Sequence, residues 1–209
     1  MSKHSTLKVA LTVAYVAALL VANVTTGKQV ALPFDLSMTA GCVVFPITYV
    51  LSDVFSECYG YKWSRTTCHM AFVAQAVAVV LYMAAVALPP APFYDGQEAF
   101  ASVLGNTPRI AFASLAAFLC GDLINDIVFR ALKGKSGKRL FGLRAIASSV
   151  IGEFIDSAVF IPVAFLGVMP LEVIAVTSLC EIAVKLLIEA AVLPVTYAVR
   201  GFVSRFEGV

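Results

Sequence analysis

The segment "YVLSDVFSECYGYKWSR", Tyr49–Arg65, decides the fold class. It closes an apolar run that starts near Leu36 and leaves it through a stretch rich in tyrosine, tryptophan and basic residues. Such an exit is typical of a transmembrane helix, because aromatic and cationic side chains favour the membrane–water interface. Two acids, Asp53 and Glu57, lie one helical turn apart just before the exit. The segment therefore indicates a membrane helix with a polar face.

The composition of the whole chain agrees with this class. Of 209 residues, 60% are hydrophobic and 13% are charged, about half of the roughly 25% charged residues in soluble domains. So few charges could not cover the surface of a soluble domain of this length. The five cysteines and two histidines form no disulfide or zinc-ligand pattern. We expect one integral membrane domain, residues 1–209, without a metal ion or cofactor.

Six apolar segments are long enough to span a bilayer, which needs about 20 residues. They are residues 7–26, 36–58, 66–88, 108–131, 144–168 and 172–199. The sequence thus predicts an all-α integral membrane protein with six transmembrane helices. In the loop at 89–107, residues 95–104 predict a short interfacial helix with apolar residues along one side.

The basic residues set the orientation. Twelve of the fifteen lysines and arginines fall at the termini or in the 59–65 and 130–144 regions, and only Lys28 and Arg109 lie on the other side. The remaining one, Lys185, is within a span. Because cytoplasmic segments carry the excess of positive charge, we expect a multi-pass plasma-membrane protein with both termini in the cytoplasm.

Acidic residues within or at the ends of the spans are the main anomaly. An ionised carboxylate in hydrocarbon costs about 3 kcal/mol even on a lenient insertion scale, so these groups must face each other, water or a ligand, or stay protonated. Eight of the thirteen acids are of this kind: Asp53, Glu57, Asp122, Asp126, Glu153, Asp156, Glu181 and Glu189. Most are paired at i,i+3 or i,i+4 spacing, so each helix has one polar stripe.

Depth within the spans separates a binding site from a gate. Counting about 1.5 Å per residue places a cluster near the midplane, where transporters bind substrate, and places other acids toward the cytoplasm. The predicted substrate-binding residues are Phe45, Tyr49, Gln75, Asp122, Asn125, Glu153, Asp156, Glu181 and Lys185. The predicted gate or ion-coupling residues are Asp53, Glu57 and Asp126. Asn23, in the first span, counts toward the outside.

Structural alternatives accompany these assignments. Glu181, Lys185 and Glu189 form an i,i+4,i+8 stripe that could be an internal salt bridge serving only packing. Asp53 and Glu57 could be hydrated at the interface or paired with Lys62 or Arg65.

Two segments echo each other: "GDLINDIVF" at 121–129 and "GEFIDSAVF" at 152–160. Each begins with a glycine followed by an acid, and the glycines permit close helix approach.

An enzyme is a remote alternative. "YD" at 94–95 and "CGDL" at 120–123 resemble the paired motifs of intramembrane aspartyl proteases, but Leu119 occupies the position of a required glycine. The two aspartates would have to share a proton, whereas Asp95 lies in an external loop and Asp122 within a span.

Two blocks, "FPITYVLSDVFSECYGYKWSR" at 45–65 and "LRAIASSVIGEFIDSAVFIPVAF" at 143–165, resemble the signatures of the queuosine precursor transporters. That family belongs to a broader vitamin-uptake-transporter group and is similar in layout to substrate-binding subunits of energy-coupling-factor importers. The resemblance implies uptake of 7-cyano-7-deazaguanine or 7-aminomethyl-7-deazaguanine, precursors of a tRNA modification, across the bacterial inner membrane. It implies action by one chain or a homodimer in contact with membrane lipid, and no nucleic-acid partner.

The residues are compatible with that ligand and leave alternatives open. A buried carboxylate accepts two N–H groups of a guanine-like edge, while an amide or lysine serves its carbonyl. The same site could take another purine-like base or a vitamin, or belong to a substrate-capturing subunit that needs an ATPase partner. Proton coupling through Asp156 or Glu153 and facilitated diffusion both remain open.

Overall fold

The computed structural model of the chain describes residues 3–34, 36–136 and 141–207. Within these ranges the side chains of residues 3–5, 122, 123, 125, 126, 128–136, 141–149, 153, 189, 193 and 207 are outside the description. The helices are α1 (Lys3–Thr25), α2 (Phe45–Val54), α3 (Tyr61–Ala87), α4 (Gln97–Leu104), α5 (Thr107–Ser136), α6 (Phe141–Phe165) and α7 (Leu171–Glu207). Strands β1 (Gln29–Ala31) and β2 (Ser37–Thr39), a 3₁₀ helix (Ala40–Val43) and a π-helical turn (Phe55–Tyr59) complete the described elements.

The chain is an α-helical membrane protein. In its described part, three helical segments are long and apolar enough to cross a bilayer: Thr6–Thr25, Tyr61–Ala87 and Gln97–Gly121. They contain 20, 27 and 25 residues, where a span needs about 20. The other predicted spans also fall on helices, at least in part, but the number of spans and the orientation of the termini stay predictions.

The second predicted span, 36–58, differs from expectation. Its helix begins at Phe45 rather than near Leu36, because Ser37–Thr39 pairs with Gln29–Ala31 in a hairpin and a 3₁₀ helix follows. Pro46 lies in the first turn of α2, where proline is tolerated because its missing N–H would have no helical partner. The segment ends in the π-helical turn, a feature that is frequent at functional sites.

The short helix predicted for residues 95–104 is confirmed as α4, Gln97–Leu104. None of its residues is buried. The Gln97 side-chain amide donates a 3.0 Å hydrogen bond to the carbonyl of Val86 near the end of α3. This contact ties α4 to the helix that precedes it.

The chain forms two compact units. The first unit contains Met1–Val30, Thr39–Pro108 and Leu187–Val209, and the second contains Ala31–Met38 and Arg109–Leu186. In the first unit, α1 packs against α2, α3 and the 3₁₀ helix. Its buried residues combine apolar side chains with polar ones such as Asn23 and Gln75, and the ring of Phe55 lies edge-on to Tyr15 at 6.0 Å. The prediction of a single domain for residues 1–209 stays a prediction.

Small residues on α5 allow α6 to pack closely in the second unit. Its core consists of Ile110, Ala113 and Ala117 from α5, Phe160, Ile161, Ala164 and Phe165 from α6, and Ile174 from α7. Arg109 closes the C-terminal end of α6 by donating to the carbonyls of Val163 and Leu166. Carbonyls at a helix C-terminus lack intrahelical partners, and a cation there also complements the helix dipole.

The turn at Gly41 should tolerate no side chain. A Cβ at Gly41 would lie 2.1 Å from the Thr26 hydroxyl oxygen and 3.1 Å from the Ala22 carbonyl. Thr26 is fully buried and its hydroxyl donates to that same carbonyl at 2.8 Å. We expect Gly41→Ala to cost about 1–3 kcal/mol of stability through overpacking, measured as a lower melting temperature in detergent. Adding Thr26→Ala should restore part of the lost stability. If the double variant loses as much stability as the two single variants together, the clash with Thr26 is not the cause.

Candidate functional site

A buried ion pair joins α6 to α7 in the second unit. The Lys185 ammonium lies 2.9 Å from Oδ2 of Asp156, and their side chains are 5% and 28% exposed. Sequence analysis placed both residues in the site and considered a salt bridge within α7 for Lys185. The structure gives Lys185 a partner on another helix, Asp156 of α6. The pair therefore fixes the contact of α6 with α7 and keeps the lysine charge compensated in a region where water is scarce.

Glu181 adds a second carboxylate on the same face of α7. It precedes Lys185 by four residues, one helical turn, and is 1% exposed. The described polar cluster thus combines two acids with one base. A group of this kind is costly to bury and stable only when every member has a partner. Such residues within a membrane protein commonly mark a substrate or ion path.

The two echoing segments cross at their glycines. A Cβ placed on Gly121 of α5 would lie 3.0 Å from the carbonyl oxygen of Gly152 and 3.3 Å from Cβ of Asp156 on α6. The close approach that the sequence predicted for these glycines is confirmed at this crossing. It brings the backbone of α5 directly beside the aspartate that pairs with Lys185.

Helices α1 and α3 of the first unit run parallel, as two contacts show. The Lys8 ammonium lies 3.6 Å from the centroid of the Trp63 ring, and the side chain of Tyr15 is hydrogen-bonded to that of Cys68. Residue numbers therefore increase in the same direction along both helices. From the contact of Tyr15 with Cys68, Asn23 lies eight residues further along α1 and Gln75 seven residues further along α3. At 1.5 Å per residue these distances are about 12 Å and 10.5 Å. The two amides lie at the same level.

Both amides are buried without partners. Asn23 is 0% and Gln75 is 2% exposed, and neither the oxygen nor the nitrogen of either amide has a hydrogen-bond partner in the described part of the chain. Gln29 of β1 has a third such amide. An unsatisfied buried polar group costs about 1–3 kcal/mol, so these amides need an explanation. Sequence analysis included Gln75 in the site and left Asn23 out, because counting from the span end placed Asn23 too far outside.

Phe45 and Tyr49 of α2, which the sequence assigned to the substrate site, contact each other through their rings. Phe45 and Tyr49 lie one turn apart with ring centroids 6.4 Å from each other and ring planes inclined by 19°. Both residues are half-buried. Stacked, partly accessible rings of this kind can present a flat apolar surface to a planar ligand.

Two of the three predicted gate acids, Asp53 and Glu57, lie at the surface in the first unit. Glu57, in the π-helical turn, pairs with Arg200 of α7 at 3.0 Å, and Asp53 is exposed. The partners considered from sequence, Lys62 and Arg65, were therefore wrong for Glu57. With side chains 55% and 47% exposed, the pair is screened by solvent and contributes about 0–1 kcal/mol.

Four predicted site residues fall outside the described side chains. These are Asp122, Asn125, Asp126 and Glu153. Glu189, the third member of the α7 stripe, is in the same position.

Comparison with known proteins gives two agreeing matches. A family model described as "Putative vitamin uptake transporter" matches residues 39–199. The chain belongs to that family. It is also 27% identical over 187 residues to the "Probable queuosine precursor transporter" of Bacillus subtilis, which covers 89% of this chain and 81% of the relative. No solved structure matches the chain significantly.

Membership of the family establishes the class of activity. The protein is a membrane transporter rather than an enzyme, as the sequence predicted. The family match runs from the end of the hairpin to the second half of α7. It therefore includes the Asp156–Lys185 pair and Gln75, whereas Asn23 lies before it.

Proposed function

We propose that the protein imports a queuosine precursor, 7-cyano-7-deazaguanine or 7-aminomethyl-7-deazaguanine, for tRNA modification. The observation that carries the proposal is the match over most of both chains to a relative whose name states that function. The chemistry of the buried polar residues supports it. The deazaguanine ring system is planar and uncharged, with hydrogen-bond donors and acceptors on its edges, and buried amides complement such a pattern.

The substrate-binding residues assigned from the sequence are kept as part of the proposal. The second unit offers charged groups at Asp156, Glu181 and Lys185, and the first unit offers the amide of Gln75 and the rings of Phe45 and Tyr49. Asp122, Asn125 and Glu153 remain assigned to the site from sequence. Leaving buried polar groups unpaired would reject bases that lack the matching donors. Asp53, Glu57 and Asp126 are assigned to a cytoplasmic gate or ion-coupling path.

The proposed topology is six transmembrane helices with both termini in the cytoplasm, acting as one chain or a homodimer in the bacterial inner membrane. The support is the uneven distribution of basic residues and the length of the helices. Uptake without an ATPase subunit is expected, driven by a proton gradient or by consumption of the precursor inside the cell. Vesicle uptake that ignores an imposed pH gradient would exclude the first of these.

Complementation tests the function directly. In bacteria that can neither make nor import the precursor, expression of this chain with low external precursor should restore queuosine in tRNA. We expect Asp156→Asn to abolish the restoration at normal expression, because Asp156 balances Lys185. Asp95→Asn, the same change at an exposed loop position, is the matched control and should leave restoration intact.

Absence of queuosine with the unaltered chain at normal expression would refute the assignment. Uptake of another purine-like base or of a vitamin in the same cells would then identify the alternative substrate. Of these two, the family description names a vitamin. Unchanged restoration by Asp156→Asn would show that the site is misplaced and would leave the function standing.

A further inference from the structure

We propose that Asn23 and Gln75 form a paired amide clamp that holds the six-membered ring of the substrate by its two polar edges. The proposal rests on the proposed function and adds a residue, Asn23, that lies before the segment matched by the family model. It assigns the clamp to a neutral lactam or aminopyrimidine ligand and to no charged group.

Three observations carry the clamp. Both amides belong to the first unit, on the parallel helices α1 and α3. The contacts of Lys8 with Trp63 and of Tyr15 with Cys68 fix the register of the two helices, and counting eight and seven residues onward gives the two amides similar heights. All four of their polar atoms are buried and have no hydrogen-bond partner among the described residues.

A purely structural role would predict a different arrangement. Buried amides that only join helices use their donors and acceptors on a neighbouring side chain or backbone carbonyl. Here the four polar atoms of the two amides have no hydrogen-bond partner among the described residues, which costs stability. Sites that keep polar groups ready for a ligand accept that cost and gain binding when the ligand supplies the partners.

The chemistry of an amide fits a deazaguanine ring. Each amide presents a C=O acceptor and an N–H donor side by side. One amide can therefore pair with the ring carbonyl at position 6 and the N–H at position 1. The other can pair with the 2-amino group and the ring nitrogen at position 3. Because the two amides lie at the same level, the ring plane would lie across the helix axes.

The clamp makes no contact with the substituent at position 7 of the ring. The cyano or aminomethyl group is attached to the five-membered ring, away from both edges that the amides contact. Loss of either amide should therefore weaken both precursors to the same extent. A residue that only supports the fold would instead affect ligands with and without the polar groups of the six-membered ring alike.

Calorimetric binding to the purified full-length protein tests the clamp. The variants are Asn23→Leu and Gln75→Leu, and the matched controls are Asn106→Leu and Gln97→Leu, whose amides bond to nearby backbone carbonyls of Ser102 and Val86. The probes are 7-cyano-7-deazaguanine, 7-aminomethyl-7-deazaguanine and a 7-cyano analogue without the 6-oxo and 2-amino groups. Melting temperatures of the ligand-free proteins are recorded in parallel.

We expect each clamp variant to lose roughly 5- to 150-fold in affinity for both precursors, since a ligand polar group is then left unpaired. Its loss of affinity for the stripped analogue should be clearly smaller, because that analogue keeps only the ring nitrogens as partners for the amides. Its ligand-free melting temperature should stay the same or rise, because an unsatisfied group has been removed. The controls should bind all probes normally.

Two results would overturn the clamp while leaving the function intact. One is unchanged precursor affinity in both clamp variants. The other is an equal loss for precursors and stripped analogue together with a lower melting temperature, which indicates a structural role. If the unaltered protein binds neither precursor, the proposed function fails first and the clamp's ligand fails with it.

Discussion

Replacing Lys185 by methionine should remove most of the folded protein from the membrane. The change leaves Asp156 and the nearly inaccessible Glu181 without the cation that pairs with Asp156. Breaking a buried pair by deleting one partner costs about 3–5 kcal/mol. In a chain of this length that corresponds to a fall in melting temperature on the order of 10 °C. Size-exclusion yield and thermal unfolding in detergent measure both effects.

Removing the second charge should restore part of the stability. In Lys185→Met with Asp156→Asn no ionised aspartate remains opposite the methionine, so the double variant should be more stable than Lys185→Met alone. Transport should remain absent in both, because both lack the Lys185 ammonium that the proposed site requires. A double variant as unstable as the sum of its parts would contradict the pairing.

The second ion pair of α7 provides the control. Arg200 pairs with Glu57 at nearly the same distance, but both side chains are about half exposed. Arg200→Met should therefore cost less than about 1 kcal/mol. Equal losses of stability in Arg200→Met and Lys185→Met would show that burial does not determine how much each ion pair contributes to stability.

Helix positions could be predicted from the sequence because they depend on the length of apolar runs. The predicted first, third, fourth, fifth and sixth spans all lie on helices, with ends that differ by a few residues in most cases. The second failed at its start because the hairpin of β1 and β2 is a matter of strand pairing. Hydropathy carries no signal for pairing between two three-residue strands.

The partner of Lys185 could be predicted only as a class. A lone base among acids within spans must find a carboxylate, and it does. Spacing along α7 indicated Glu181 and Glu189 and gave no sign that Lys185 also contacts Asp156 on α6. Which acid pairs depends on the crossing of two helices, and a single sequence without tertiary contacts does not contain that information.

The relative heights of Asn23 and Gln75 along their helices show a limit of counting within single spans. Counting residues from span ends assumes that all spans begin and end at the same heights. Asn23 lies two residues before the end of α1 and Gln75 lies near the middle of α3, yet residue counts from the contacts of Lys8 with Trp63 and Tyr15 with Cys68 give them similar heights along the two helices. Helices of 23 and 27 residues with offset ends bring together groups that such counting separates.

Placing leucine at Gly121 should separate α5 from α6. The first added carbon would already lie 3.0 Å from a backbone oxygen of Gly152 and 3.3 Å from Cβ of Asp156. A backbone oxygen cannot rotate away as a flexible side chain can, so the helices themselves must move. We expect a loss of about 3 kcal/mol, at the upper end of the usual cost of overpacking, measured as thermal unfolding in detergent. Gly121→Ala should show a smaller loss, because the gain in helix propensity of about 1 kcal/mol offsets part of the clash.

Gly201 provides the control position for the leucine substitution at Gly121. It also lies within a helix, α7, but nothing within 4 Å would meet a Cβ there. Gly201→Leu should therefore be neutral or slightly stabilising, since leucine favours helix more than glycine does. The difference between the two leucine variants isolates the crossing from the general effect of removing a glycine. Because Asp156 lies at that crossing, Gly121→Leu should also weaken precursor binding beyond what its loss of stability explains. Normal affinity in the surviving folded fraction would mean that Asp156 keeps its position without the close approach of α5, and that the glycine serves packing alone.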